Sequence, residues 1–383
     1  MQLYDKANSL TDLHTSPADA DTREALSRIT RLRAQVVAST ADPYRTTVVE
    51  RALADLLDGG TNRSSPVRFA LKPHVVAELQ NVADADLGRY LFYRYRYDIF
   101  PQTHEVDDFP PCLQVEPTSI CNYRCVFCYQ TDPELTAPKN GHMGMMALDA
   151  FRRIVDEAEG RCEAVTLASR GEPLMARDIE QMLAYAAGKF LALKVNTNAW
   201  FLDERKAHAL LQAAPITVVF SADAAEEPLY SQLRVNGRLD RVLDNVRRFH
   251  EIRERDYPHA RVITRVAGVR FGTDQRLDTM DAVWGSLVDQ VAFVQYNPWE
   301  NTYERPANDV VAPCSDLWRR MFVWFDGTAN PCDVDYRSTL AVGNAREQSL
   351  SELWTGATYS AYRDHHLNAR RSTMSPCNRC TLV

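Results

Sequence analysis

The sequence predicts an α/β protein: a parallel sheet, open or curled into a partial barrel, with a helical N-terminal extension and a small C-terminal unit of β-hairpin and helix. Three observations predict it. Between Leu113 and Gln295 short apolar runs alternate with amphipathic helical patterns, as strands joined by crossover helices do. The alternation opens just after Pro110-Pro111 and stops at Asn301. A group of three cysteines directly follows the first predicted strand, and a parallel sheet keeps its chemistry at the carboxyl ends of its strands.

Residues 1 to about 22 are polar and expected to be loosely ordered. Residues 23–108 form the helical extension. Leu26, Ile29, Leu32 and Val36 recur at helical spacing between Thr22 and Ser39. A second helix is predicted near Thr46–Leu57, ended by Gly59-Gly60. A third runs through Leu71–Tyr97 into a cluster of tyrosines, read as packing rather than as a binding platform. Residues 109–300 form the barrel unit. Its strands are predicted over Leu113–Glu116, Ala164–Ala168, Ala192–Asn196, Ile216–Phe220, Val262–Val269 and Gln290–Gln295. Helices are predicted over Leu148–Ala158, Ile179–Ala187, Glu204–Gln212, Leu239–Glu254 and Asp278–Leu287. In residues 301–383, Phe322–Phe325 and Ala329–Asp333 flank Asp326-Gly327 as a hairpin. Ser349–Tyr362 follows as a helix with Ser349 or Ser351 as its cap.

A chain of 383 residues is long enough for one large α/β unit with attachments. Its net charge of −7 speaks against a nucleic-acid partner held by a broad basic surface. No run of 18 uncharged apolar residues offers a membrane span, and the first residues lack the basic and apolar regions of a secretory signal. Nine cysteines in such a chain imply a reducing compartment, in which clustered thiols bind metal more often than they form disulfides. A cytoplasmic location is expected.

The cysteines carry the chemistry. Cys121, Cys125 and Cys128 form a C-x3-C-x2-C run, one thiolate short of what a cubane iron–sulfur cluster needs. Such a cluster keeps one iron open for a substrate or cofactor. The alternative is zinc, which in structural sites takes four protein ligands, commonly from two C-x2-C knuckles. Phe127 precedes the third cysteine, at a position where a cofactor ring could stack. Cys314, Cys332, Cys377 and Cys380 make a second set of four, enough to close a site of iron–sulfur or zinc-ribbon type. Cys112 and Cys162 each lie just before a strand and read as buried structural thiols; a thiol hydrogen donor is the alternative. His142, on the loop after the cysteine triple, reads as a solvated histidine, and His365-His366 as a helix end.

C-x3-C-x-aromatic-C after a first strand resembles the radical S-adenosylmethionine (SAM) family, whose fold is a partial (β/α)6 barrel related to the TIM barrel. The resemblance implies that Cys121, Cys125 and Cys128 hold a [4Fe–4S] cluster whose open iron chelates the amino and carboxylate groups of SAM. One electron then cleaves the sulfonium to a 5′-deoxyadenosyl radical that takes hydrogen from the substrate. Arg170-Gly171-Glu172-Pro173 resembles the family's G-G-E-P element, with Arg170 in place of the first glycine. It implies cofactor contacts at Gly171 and Glu172 and turns Arg170 toward the cofactor carboxylate or the substrate. Asn196-Thr197-Asn198 resembles a T-N-G element with Ala199 in place of glycine, which implies a contact at Asn198. Ser221-Ala222-Asp223 and Leu233-Arg234-Val235-Asn236-Gly237 resemble elements that imply contacts at Ser221, Asp223 and Arg234.

The order Cys314, Trp318, Asp326-Gly327, Cys332, Gly343-Asn344, Trp354, Cys377, Cys380 resembles the auxiliary-cluster extension called SPASM, in its shortened twitch form. It implies a second, fully ligated [4Fe–4S] cluster. Substrate contacts are expected from Gln295, Tyr296, Asn297, Trp299 and Tyr303, with Glu300 or Glu304 as base. One closed auxiliary cluster favours a net two-electron oxidation of a sugar- or cyclitol-like small molecule, the enzyme being reduced by a flavodoxin or ferredoxin. A ribosomal-peptide maturase and a sugar epimerase are the alternatives among enzymes, and a zinc-stabilised binding protein outside them.

Overall fold

The computed structural model describes residues 3–6, 10–14, 19–40, 42–58 and 67–383. The expected helix stop at Gly59-Gly60 lies outside them. The described strands are β1 (Leu10–His14), β2 (Cys112–Val115), β3 (Arg124–Cys125), β4 (Ala164–Leu167), β5 (Ala192–Thr197) and β6 (Thr217–Ser221). They continue with β7 (Arg234–Val235), β8 (Ile263–Arg270), β9 (Gln290–Gln295), β10 (Arg320–Val323), β11 (Thr328–Asn330) and β12 (Gly343–Asn344). The six expected strands are β2, β4, β5, β6, β8 and β9. They lie side by side in chain order and run parallel, as a partial barrel wound in one direction requires.

Alternation of side chains along each strand gives the sheet two different faces. Leu113, Val115, Val165, Leu167, Leu193, Val195, Val218, Phe220, Val266 and Val291 point outward into one core with Phe151, Leu183, Leu210, Val246 and Trp284 of the surrounding helices. Each such buried side chain contributes about 1.5–3 kcal/mol. The intervening positions line the inside of the barrel: Gln114, Glu116, Thr166, Lys194, Asn196, Thr217, Arg265 and Gln290. Thr166, Lys194, Asn196, Ser221 and Ala267 keep partial exposure on this inner face, whereas the outward positions beside them are buried. The inner face, the lumen side of the barrel, is therefore polar and less tightly covered than the outer one.

The N-terminal helices, Asp19–Arg31, Arg33–Ala38, Pro43–Leu57, Pro73–Asn81 and Leu87–Thr103, form a second core. Val49, Leu53, Val75, Leu79 and Leu91 pack there with Cys112, Ala164, Ala192 and Ile216, which lie at the amino ends of β2, β4, β5 and β6. The extension thus caps the barrel at the end away from the cysteine loop. The second helix starts earlier than Thr46 because Asp42 accepts the Arg45 backbone N–H at 2.9 Å and Pro43 occupies the first turn. Cys112 and Cys162 are both buried.

One expectation is corrected. The start of the chain is not loose where it is described: β1 pairs antiparallel with β9, and Tyr4 exchanges backbone hydrogen bonds with Thr381 and Val383 at 2.9 and 3.0 Å. The C-terminal hairpin joins the barrel sheet. β10 pairs parallel with β2, Arg320 opposite Cys112, and β11 returns antiparallel to it through a turn at Gly327 (φ 87°). One ten-stranded sheet results.

Candidate active site

Chain leaving β2 turns through Thr118–Ile120 and delivers the three cysteines above the carboxyl end of the sheet. Gly171 lets that turn close. A Cβ there would stand 2.3 Å from the Thr118 carbonyl oxygen and 2.6 Å from that of Ile120, so only glycine fits. β3 pairs antiparallel with β7, which sets Arg234 opposite Cys125. Arg234 reaches the Cys125 Sγ at 3.8 Å and the Asp223 carboxylate at 2.5 Å. Asp223 also accepts the Val269 N–H at 2.6 Å, and its carboxyl is raised by burial against the opposing pull of Arg234. Phe127 is buried in the cluster of Tyr123, Cys125 and Leu233, 5.7 Å from the Phe271 ring.

Glu172 is a buried junction. It accepts hydrogen bonds from the Thr197 hydroxyl at 2.5 Å, the Asn198 N–H at 2.7 Å and the Leu174 N–H at 3.0 Å. Burial raises its carboxyl, and those donors pull the other way. Asn198 Nδ2 in turn donates to Asn122 Oδ1 at 2.9 Å and lies 3.9 Å from Cys121 Sγ. Ala199 takes the left-handed conformation expected of glycine (φ 59°), a cost of about 1 kcal/mol met by its N–H bond to Thr197 Oγ1 at 3.0 Å. Ser221 ends β6 on the lumen side. Gly171, Glu172, Asn198, Asp223 and Arg234 are therefore gathered around the cysteine loop, and Ser221 stands at the end of β6, two residues before Asp223.

The substrate-side expectations divide. Arg170 is corrected: its guanidinium is spent on Glu116 at 2.7 and 2.8 Å and on the Tyr336 carbonyl at 3.0 Å. Gln295 turns outward to donate to the Leu3 carbonyl at 3.0 Å. Tyr303 is held by Asp335 at 2.6 Å and packs its ring on Tyr336. Glu304 is exposed and leaves Glu300 as the base candidate. Glu300 Oε1 accepts the Tyr296 hydroxyl, and its Oε2 is buried without a protein partner. Asn297 is buried with its Nδ2 likewise free of one.

In the second set, Cys314 and Cys380 are buried with Val334 and Leu382, and Cys332 packs against them. Arg371 was not foreseen. Fully buried, it donates to the carbonyls of Ala312, Cys377, Cys380 and Leu382 at 2.7–3.2 Å, clamping the loop of Cys377 and Cys380 to the segment before Cys314. An arginine next to Arg370, nine residues past the predicted helix Ser349–Tyr362, carries no signal of this in sequence. Trp299 packs both on the cluster with Cys314 and Cys380 and on the one formed by Tyr129, Leu135 and Tyr336, which Cys128 borders.

Among the described residues no three His, Cys, Asp or Glu side chains converge on a point that would hold one metal ion. The thiols of each set are buried electrostatic neighbours instead. Burial raises Cys121 to about 12 and Cys125 to about 11, and Cys128 feels both of their charges. Cys314 is raised to about 12, and Cys377 upward beside Cys314 and Cys380. Thiols so placed keep their protons until a cation displaces them. Sulfur-only donor sets, three and four strong, fit iron–sulfur ligation.

The sequence profile of the Radical SAM superfamily matches residues 115–283, and that of an iron–sulfur cluster-binding domain, SPASM, matches residues 314–381. A GTP 3′,8-cyclase of Rhodococcus opacus is 24% identical over 67% of this chain and 86% of its own length. GTP 3′,8-cyclases of Listeria match over 41% of their length. The mycofactocin maturase MftC of Mycobacterium tuberculosis is 27% identical over 36% of this chain and 35% of its own. Among solved structures, BtrN in complex with AdoMet and 2-DOIA superposes with a TM-score of 0.50 at 14% identity, covering 73% of this chain and 95% of that one. Streptococcus suis SuiB bound to the precursor peptide SuiA superposes with 0.51 at 16% identity, covering 88% and 82%. These likenesses show the fold. The cofactors of these two domains are SAM, a SAM-binding [4Fe–4S] cluster and an auxiliary iron–sulfur cluster. The chain therefore carries a radical SAM domain over residues 115–283 and a SPASM-type iron–sulfur cluster-binding domain over residues 314–381.

Proposed function

We propose that this protein is an oxidoreductase that removes two electrons from a hydroxyl-bearing, sugar- or cyclitol-like molecule bound in the barrel lumen. The observation that carries this reading is Trp299, which packs on the cluster holding Cys314 and Cys380 and on the aromatic cluster that Cys128 borders, so that one side chain links the two cysteine sites. When bound, SAM on the reduced cluster supplies a 5′-deoxyadenosyl radical for hydrogen abstraction, and the auxiliary cluster an acceptor for the electron left behind. The protein contributes a base and a dry, shaped site. Glu300, oriented by the Tyr296 hydroxyl, offers Oε2 to the substrate hydroxyl proton. Glu172, Asn198 and Arg234 fix the cysteine loop above the lumen. A flavodoxin or ferredoxin is the proposed reductant.

The placement of the helical extension at the far end of the barrel favours a small substrate over a leader-guided peptide. The fold shared with SuiB, solved with its precursor peptide, makes a peptide substrate the second reading. No described helix is long and apolar enough to cross a membrane. The deciding experiment incubates reduced enzyme and SAM anaerobically with sugars, cyclitols and peptides and scores substrate-dependent 5′-deoxyadenosine. A sugar-dependent signal with a carbonyl product is expected. A signal from peptides alone transfers the assignment to peptide modification, and a colourless zinc protein ends both.

A further inference from the structure

The lumen holds more positive charge than the protein neutralises. Lys194 on β5 points inward, since Val195 beside it packs in the outer core, and it is half-buried. Among the described residues it has neither an ion pair nor a hydrogen bond. Arg265 shares the inner face with Asn196, Val219 and Gln290 through the register of β5, β6, β8 and β9. It is 5% exposed, yet its Nε and Nη2 both lean on one neutral acceptor, Gln290 Oε1, at 2.8 and 2.6 Å.

Other buried acids hold cations of their own. Glu116 holds Arg170, Asp98 holds Arg94 at 2.8 Å, and Asp316 lies 3.5 Å from Arg320. Glu78 is the carboxylate whose field reaches both Lys194 and Arg265; it carries one charge against two and also accepts the Tyr90 hydroxyl at 2.7 Å. Desolvation pulls Lys194 down to about 8. Cations buried this deeply are normally paired, so a missing anion is the simplest account. The same wall supplies two buried polar atoms without a protein partner, Asn196 Oδ1 and Thr217 Oγ1. These suit a ligand hydroxyl and an anion oxygen respectively.

We propose that Lys194 and Arg265 form an anion subsite in the lumen that binds a carboxylate or phosphate of the substrate, with the Thr217 hydroxyl donating to an anion oxygen and Asn196 Oδ1 accepting from a substrate hydroxyl. This rests on the assignment of the lumen to the substrate made above. Lys194 lies four residues before Asn198, so the subsite sits about 13 Å below the cysteine loop at strand rise. The substrate class narrows to sugar- or cyclitol-like acids and phosphate monoesters, the charged end held deep and the hydroxyl-bearing carbon toward the mouth.

The test measures binding by calorimetry to the holoenzyme without SAM, using inorganic phosphate, acetate and neutral glucose. Saturable binding of phosphate or acetate in the millimolar range is expected, and which of them binds tells phosphoryl from carboxylate recognition. K194M should weaken it about tenfold or more and K194R by less than about threefold. The melting temperature of ligand-free K194M gives a second readout. It should equal or exceed that of the parent, because a desolvated, unpaired charge has been removed. Failure of both anions to saturate below about 50 mM, unchanged binding in K194M, or a K194M that melts lower without ligand would each overturn the subsite. Substrate-dependent SAM cleavage by the parent enzyme with sugar and cyclitol acids and phosphates is scored separately. Its absence would refute the lumen as the substrate site while leaving the anion result standing.

Discussion

Arg170 and Glu116 form a buried two-bond ion pair, Nε to Oε2 at 2.8 Å and Nη2 to Oε1 at 2.7 Å, with side chains 2% and 0% exposed. Glu116 also accepts the N–H of Arg170 at 3.1 Å and of Phe325 at 3.3 Å, and the guanidinium lies 4.4 Å from the Trp324 ring. The pair therefore ties together the ends of β2, β4 and β10. Those are the strands that carry the SAM-cluster loop, the Glu172 turn and the auxiliary hairpin.

Removing one partner of this pair strands the other. Arg170→Met should cost about 3–5 kcal/mol in anaerobic urea unfolding, because it leaves Glu116 buried and charged. The double change Arg170→Met with Glu116→Gln should recover a large part of that loss. An Arg170→Met protein of unaltered stability but raised substrate KM would return Arg170 to the substrate.

The two cysteine sets should be separable. Cys125→Ala should lower iron from about eight to about four per chain and abolish SAM cleavage, while the auxiliary cluster keeps its paramagnetic resonance signal. Cys332→Ala should do the reverse to the clusters and suppress substrate oxidation. Full turnover by Cys332→Ala with four irons would remove the electron-acceptor role.

The barrel was legible because its strands alternate an apolar outer face with a polar inner one, and because turn and cap residues punctuate them. Gly171, Glu172, Asn198, Asp223 and Arg234 were legible for a different reason: each lies at a strand end or beside the cysteine loop, where local order places it in the site. Long-range partners were not legible. Nothing within reach of Arg170 in sequence tells that Glu116, 54 residues away, will take its charge, or that Gln295 will meet Leu3, 292 residues away. The pairing of β10 with β2 has the same origin, since periodicity marks a strand without naming its neighbour.

Acid should weaken the base of the barrel through His74. Burial and the charges of Arg94, Arg265, Lys194 and Lys72 hold its imidazole well below its usual value, so the native ring stays neutral where the unfolded one is protonated. Below pH 6.5 the unfolded state binds the extra proton, and stability falls with pH. The slope should approach about 1.4 kcal/mol per pH unit between pH 6 and 5. His74→Gln should flatten that part of the curve of urea midpoint against pH. An identical slope in the variant would assign the acid sensitivity to other groups.

Glu300 provides the sharpest test of the oxidation chemistry. One of its oxygens is held by Tyr296 and the other is buried without a protein partner. A carboxylate so arranged is oriented and has one acceptor left for the substrate. Glu300→Gln keeps the shape and removes the basicity, so formation of the carbonyl product should fall about 100-fold or more. The ratio of 5′-deoxyadenosine to product should rise, because hydrogen abstraction no longer leads on to oxidation. Tyr296→Phe should give a smaller loss, about tenfold, by freeing the carboxylate to rotate. Glu304→Gln, exposed on the same loop, is the control and should leave the ratio alone. A Glu300→Gln enzyme with the parent's product ratio would place the base elsewhere and move the search to the lumen wall.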